Sequence, residues 1–316
     1  MRPLDRVWRF LRRPEGLVLA LGGGGARGIA HVAILETLEE AGIPVAGIAG
    51  TSAGALVGAM WLRLGSAEAT LTRWRSFLAS GFPGTLPDVR LTEEVTTRDN
   101  LLLQFARRVR RGAAVILALE RRSLVDPEDF QKALELLLPE GRIEDLRLPF
   151  CAVATDFETG RTRELRSGSL HRAVTASSAV PGVLPPVLLD GHHLIDGGVV
   201  ADVPVCEARR LSPRPVVAVD VGEVAGPQDF GTITVPRAIL RADILTHSAF
   251  RAVMVRGADL VLRPEVGAIH WSEFIRLEEA FEAGRKAARE ALPGLRALAS
   301  RPWSNPRSGS VCESGS

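Results

Sequence analysis

Two short motifs in this 316-residue chain carry groups that could exchange a proton. Gly50-Thr51-Ser52-Ala53-Gly54 fits the pattern G-x-S-x-G, with an apolar strand-like run (Val45–Ala49) before it and a small-residue helical run (Ala53–Leu64) after it. That context is what a nucleophile elbow needs. The serine sits in a sharp turn, and the residues two before and two after it lack side chains so that strand and helix can approach. The helix N-terminus then points at the serine and favours developing negative charge. A serine needs a base. Asp196-Gly197-Gly198 offers a carboxylate at a strand-end turn with little crowding, able to take the proton directly if burial raises its pKa. Histidine is the alternative: among His31, His171, His192, His193, His247 and His270, Asp196 followed by His270 could satisfy the order serine, acid, histidine, although Ala268-Ile269-His270-Trp271 lacks a glycine-flanked loop. At this level both bases stay open.

A third motif is Gly22-Gly23-Gly24-Gly25-Ala26-Arg27-Gly28, between the apolar run Leu17–Leu21 and a helical run. Gly23 to Gly28 matches the dinucleotide fingerprint G-x-G-x-x-G. That fingerprint calls for an acidic residue at the end of the second strand, where this chain has Gly50-Thr51-Ser52. No lysine follows the glycines, so a phosphate loop of the P-loop kind fails as well. The remaining use of a run of bare amides is an oxyanion hole.

The elements that must position these groups follow from periodicity. Gly16–Leu21 reads as a buried strand, Ile29–Ala41 as a helix ended by Gly42, Val45–Ala49 as a second strand and Ala53–Leu64 as a second helix, the grammar of a parallel α/β sheet. Residues 66–148 alternate helical runs with turn signals and read as a helical insertion over the sheet; within it Asn100–Leu119 is apolar on one side and basic on the other. Strands resume at Pro149–Thr155 and Thr162–Leu165, followed by a helix at His171–Ser178. A hairpin (Val187–Leu189 and His193–Ile195) is predicted about Asp190-Gly191, with further strands at Pro215–Val221 and Leu260–Arg263. Phe274–Leu292 reads as an amphipathic helix, and residues 299–316 as a disordered tail. The domain plan is a basic segment (1–15), a domain from 16 to 298 and the tail.

Composition limits the alternatives. A hydrophobic content of 46% and a net charge of +2 fit a globular protein with no nucleic-acid footprint. Three cysteines are too few and too scattered for a disulfide framework, and Cys151 and Cys206 read as reduced, buried small hydrophobes. No Cys/His spacing suggests a metal site, and no cofactor is expected. No apolar run reaches transmembrane length, and the run after the N-terminal arginines is too short for a signal peptide. The expectation is a soluble cytoplasmic protein. Peripheral membrane contact through the basic segment around Val7–Arg13 is the alternative to a docked terminal helix.

Taken together and in order, Gly23-Gly24-Gly25-Ala26-Arg27-Gly28, Gly50-Thr51-Ser52-Ala53-Gly54 and Asp196-Gly197-Gly198 resemble the patatin-like phospholipase family. Ala176-Ser177-Ser178-Ala179-Val180-Pro181-Gly182 and Leu184-Pro185-Pro186 look like further family blocks, and Ala268–Leu292 is similar to the C-terminal segment of bacterial members. The resemblance implies a three-layer α/β/α fold with a mostly parallel central sheet. It implies a serine–aspartate dyad without histidine, acting on acyl esters of lipids. By position Ser52 is the nucleophile, Asp196 the proton acceptor and Gly23, Gly24 and Gly25 the oxyanion amides. Arg27, Gly28, Gly50, Gly54, Gly197 and Gly198 support them, Arg27 by orienting the loop or meeting an anionic head group. A thioesterase or small-ester hydrolase with the same machinery, and a non-catalytic membrane- or partner-binding module, are the competing expectations.

Overall fold

The structure, a computed structural model, describes residues 15–82, 123–223, 233 and 235–301. The basic segment before residue 15, the amphipathic run Asn100–Leu119 and the tail beyond residue 301 lie outside the described residues.

Strand β1 (Leu17–Leu21) leads through a 3-10 turn (Gly25–Ile29) into α1 (Ala30–Glu40), and β2 (Val45–Thr51) into α2 (Ala53–Leu64) and α3 (Ala67–Ala79). Then come α4 (Pro127–Leu137), β3 (Phe150–Asp156), β4 (Thr162–Leu165) and α5 (Leu170–Ser177). The hairpin β5 (Val187–Leu189) and β6 (His192–Asp196) precedes the single turn α6 (Gly198–Ala201) and α7 (Val205–Leu211). β7 (Val216–Val219), α8 (Val235–Met254), β8 (Leu260–Leu262) and α9 (Leu277–Ala299) follow. The hairpin turn is the predicted one: Asp190 and Gly191 both have positive φ, 50° and 82°, as a two-residue turn matched to strand twist requires.

The strands form one sheet in the order β5-β6-β3-β2-β1-β7-β8, with β4 also paired to β3. β3-β2-β1-β7-β8 are parallel; β4, β5 and β6 are antiparallel additions. Alternate side chains of a strand point to opposite faces, and the core divides accordingly. Leu17, Leu19 and Leu21 pack with α1, α2 and α9, whereas Val18 and Ala20 pack with Ala201, Val203, Val205 and Ala208 of the α6–α7 segment. Helices therefore cover both faces, as expected for a three-layer α/β/α domain.

Three features differ from expectation. Helix α9 runs on to Ala299 through Pro293 and Gly294, because Leu295 and Leu298 are buried in the core and hold the last turns in place. The twenty-residue α8 occupies a stretch to which the sequence reading assigns no element. Cys151 is free and buried as read, whereas Cys206 is half-buried rather than a buried core residue.

Candidate active site

Strand β3 is the template that brings Ser52 and Asp196 together. β2 pairs with Phe150–Val153 and β6 with Ala154–Asp156, while β4 pairs with Ala152–Thr155. Because β4 shares partners with each of them, it must take one edge of β3 and leave β2 and β6 end to end along the other. Thr51 then lies opposite Val153, and Asp196 opposite the next residue, Ala154. The parallel strand and the antiparallel strand thus finish head to head: Asp196 is the last residue of β6, and Ser52 directly follows Thr51, the last residue of β2.

Ser52 has φ 51° and ψ −119°, a conformation that non-glycine residues rarely adopt. Its carbonyl accepts the Leu56 N–H at 3.0 Å and so opens α2. The turn is tight enough that a Cβ on Gly54 would lie 2.2 Å from the Leu21 carbonyl oxygen, so only glycine lets α2 pass over β1 here. A Cβ on Gly50 would meet the Ala55 backbone at 2.6 Å, and one on Gly28 the Ala53 Cβ at 2.5 Å.

Asp196 is buried. Its Oδ1 accepts the Gly198 N–H at 2.6 Å, and its Oδ2 is buried with no partner at standard hydrogen-bond geometry. Desolvation by burial pushes the carboxyl up to about 7; the Ser52 hydroxyl and the Gly198 N–H oppose the rise, and the nearby Asp202 adds to it. The main chain around it is fixed: its N–H donates to Ala179 O at 2.9 Å, and its C=O accepts the Thr155 hydroxyl at 3.0 Å. A Cβ on Gly197 would meet the Val153 carbonyl oxygen at 2.2 Å. No histidine contributes to the Asp196 environment; His270 Nδ1 pairs instead with Ser272 Oγ at 2.8 Å.

The glycine loop lies beside Ser52: a Cβ on Gly23 would be 3.5 Å from the Ser52 Cβ. Its amides are not equivalent. The Gly23 N–H donates to the Asp202 carbonyl at 2.9 Å. The Gly24 and Gly25 N–H groups have no acceptor among the described residues. The loop is held from behind. Ala26 N–H donates to Trp271 O at 2.7 Å, and Arg27 N–H and Nε donate to Gly24 O, each at 3.2 Å. His31, fully buried, pairs through Nε2 with Gly22 O at 2.9 Å; burial lowers its pKa to about 4, so it stays neutral and donates. Arg27 is itself buried and faces Glu223 at 3.8 Å, so it braces the loop from inside. Gly25 has φ 57°, and a Cβ there would lie 2.2 Å from Trp271 O. Gly25→Ala is therefore expected to lose at least about 1–2 kcal/mol of stability from the left-handed backbone alone, with the clash added, as urea denaturation would show.

Residues the motifs did not point to complete the site. A cavity of about 190 Å³ opens against Gly23 and Gly24 and is lined also by Arg27, Asp202, His247 and Arg251, while Ser52 and Asp196 are not part of its lining. Asp202, next to the Gly23 amide, is ion-paired to Arg251 of α8 at 3.2 Å; Arg251 also faces Asp220 and donates to the Glu223 carbonyl. The Ser52 N–H donates to the hydroxyl of Ser177, whose motif was visible in sequence but whose partner was not. Among the described residues no cluster of metal-ligating side chains occurs.

The mouse patatin-like phospholipase domain-containing protein 6 is 35% identical over 208 residues, covering 65% of this chain and 13% of that protein. A lysophospholipase nte1 of Emericella nidulans is 28% identical over 319 residues, 93% of this chain and 19% of the relative. The chain thus spans a fifth or less of the length of these curated relatives. Among solved structures, VipD from Legionella pneumophila superposes over 89% of this chain and 67% of its own with a TM-score of 0.47 and 15% identity. A family model described as patatin-like phospholipase matches residues 19–209, which take in the glycine loop, the Ser52 elbow and Asp196-Gly197-Gly198. By that match this chain is a member of the patatin-like phospholipase family.

Proposed function

We propose that the chain is a lipid acyl hydrolase of the phospholipase A or lysophospholipase kind, working through a Ser52–Asp196 dyad. The observation that carries the reading is the buried Asp196 carboxylate beside the Ser52 hydroxyl, one oxygen occupied by Gly198 and the other without a partner. A carboxylate so placed is a stronger base than one in water and has a vacant lone pair to receive the serine proton. Ser52 Oγ attacks the ester carbonyl, and its proton passes to Asp196. Charge develops on the carbonyl oxygen, where the uncommitted Gly24 and Gly25 amides are the donors at hand; each such donor is worth about 3 kcal/mol in acyl transfer. The protonated Asp196 then delivers its proton to the leaving alcohol or lysolipid. In the second half Asp196 takes a proton from the water that attacks the acyl-serine and returns it to Ser52 Oγ as the fatty acid leaves, which restores both groups. The scheme consumes one water and needs no metal or cofactor.

The lipid class is supported by family membership and by the lysophospholipase name of a relative. The test is lipid profiling of wild type against Ser52→Ala, with lysophospholipid vesicles set beside an acyl thioester of equal chain length. Ser52-dependent release of fatty acid from the lysophospholipid supports the reading; hydrolysis of the thioester alone overturns the lipid assignment, and no labelling of Ser52 by a fluorophosphonate overturns the catalytic one. The pH dependence is a second check. Only the carboxylate form of Asp196 accepts a proton, so kcat/KM is expected to rise with pH, reach half its limit near 7 and level off above. A histidine base at its ordinary pKa would give a similar limb, so the profile is read together with the Asp196 variant discussed below.

A further inference from the structure

Ser177 is a fully buried polar residue at the last position of α5, and its hydroxyl and carbonyl reach the backbone at Ser52 and beside Asp196. Its hydroxyl accepts the Ser52 N–H at 2.9 Å and donates to the Val153 carbonyl at 2.6 Å. Its carbonyl accepts the Gly197 N–H at 3.4 Å, and two residues on, the Ala179 carbonyl accepts the Asp196 N–H at 2.9 Å. One helix end therefore grips the backbone of both dyad members and the β3 residue opposite Thr51. The β2 ladder ends at Thr51, so the amide of Ser52 turns away from the sheet with no strand to receive it. In the positive-φ elbow that amide direction is part of what aims the side chain, and a buried N–H without an acceptor would drive the turn to relax.

We propose that Ser177 is a positioning residue for the reaction: its hydroxyl holds the strained Ser52 backbone, and the 177–179 segment sets the distance between Ser52 and Asp196. The inference rests on the Ser52–Asp196 reading above. It accounts for a serine rather than alanine at a site that excludes water, since the hydroxyl is needed as acceptor and donor at once. It also gives the Ala176-Ser177-Ser178-Ala179 block a physical task.

The test uses Ser177→Ala and Ser177→Cys in the full chain. The cysteine nearly keeps the volume but is a poor hydrogen-bond partner, so it serves if the alanine variant does not fold. Active sites are titrated with a fluorophosphonate so that kcat refers to folded, competent enzyme. The expected result is a kcat per titrated site about 10²-fold lower in Ser177→Ala, the size of effect a misplacement near 1 Å produces, with KM within twofold. The cysteine variant should fall between that and wild type. Amide hydrogen exchange of the peptide spanning Ser52 should quicken in both. A kcat per site within twofold of wild type, whatever the loss in melting temperature, overturns the inference. If wild-type hydrolysis survives Ser52→Ala, it is the dyad that fails; exchange at the Ser52 peptide then decides for the clamp alone, and unchanged exchange overturns it.

Discussion

At pH 8 the Asp196→Asn variant is expected to be inactive and yet more stable than the wild type. Activity should fall by about 10⁴-fold, the upper end of what a general base provides, because the amide cannot take the Ser52 proton. The gain in stability comes from the same burial. In the folded chain the carboxyl titrates near 7, against 3.8 for an ordinary aspartate. Below pH 4 both folded and unfolded states hold the proton, and the group is neutral to stability. Between pH 4 and 7 the unfolded chain releases its proton while the folded one keeps it, so wild-type stability falls as pH rises. Above 7 the loss is complete, about 4 kcal/mol for a rise from 3.8 to about 7 at 1.36 kcal/mol per pKa unit. Asparagine has the same shape and can still accept the Gly198 N–H, but it carries no charge to desolvate. Urea denaturation of both proteins at pH 4 and pH 8 reads the effect as a gap that opens with pH. A variant no more stable than wild type at pH 8 would show that the carboxylate is not held in the desolvated state that makes it a base. Retained hydrolysis, together with a dead His270→Ala, would replace the dyad by a histidine mechanism. The trade of stability for a reactive group is a familiar property of active sites.

The parts of the site legible in sequence are those whose chemistry constrains neighbours in the chain. The elbow needs Gly50 and Gly54 within two residues of Ser52 because β2, β1 and α2 crowd the same turn, and that leaves a local mark. The glycine loop leaves one too, because its backbone approaches Trp271 and Ser52 closely. What the motifs could not show is which loop amides are left free. Gly23 is committed to the carbonyl of Asp202, and Asp202 reaches that place only because the chain returns after β6 to the mouth of β1. The Ser177–Ser52 bond likewise joins residues 125 apart and leaves no spacing to read. Nor does the Asp202–Arg251 pair, which depends on α8 lying across the loop.

The fold divides along the same line. Strands β1, β2, β3 and β7 are short apolar runs with turn signals on both sides and could hardly be anything but buried. Helix α8 reverses the usual polarity, and a reader looking for an apolar core face is misled. Val235, Ile239, Phe250 and Val253 share its exposed side, while Arg251 is buried against Asp202 and Asp220. In α9, Pro293 and Gly294 read as a stop. The helix continues because burial of Leu295 and Leu298 outweighs what one missing amide and one glycine cost.

Two substitutions at Ser52 separate chemistry from strain. Ser52→Ala and Ser52→Gly should each lose activity on the order of 10⁶-fold, as removal of a serine nucleophile does in a comparable acyl-transfer site. They should differ in stability. With φ 51° and ψ −119° the serine occupies backbone space natural to glycine, and alanine inherits the strain unchanged. A strained position of this kind stores about 1–3 kcal/mol. Glycine also makes the unfolded chain more flexible, at about 0.5–1 kcal/mol, so the glycine variant should exceed the alanine variant by about 1 kcal/mol. That difference reads the elbow directly, because both variants lack the hydroxyl that Asp196 faces. If the alanine variant proves equal or better, the turn is not held under strain. The Ser177 hydroxyl on the Ser52 N–H would then be an ordinary buried hydrogen bond rather than a restraint on a strained elbow.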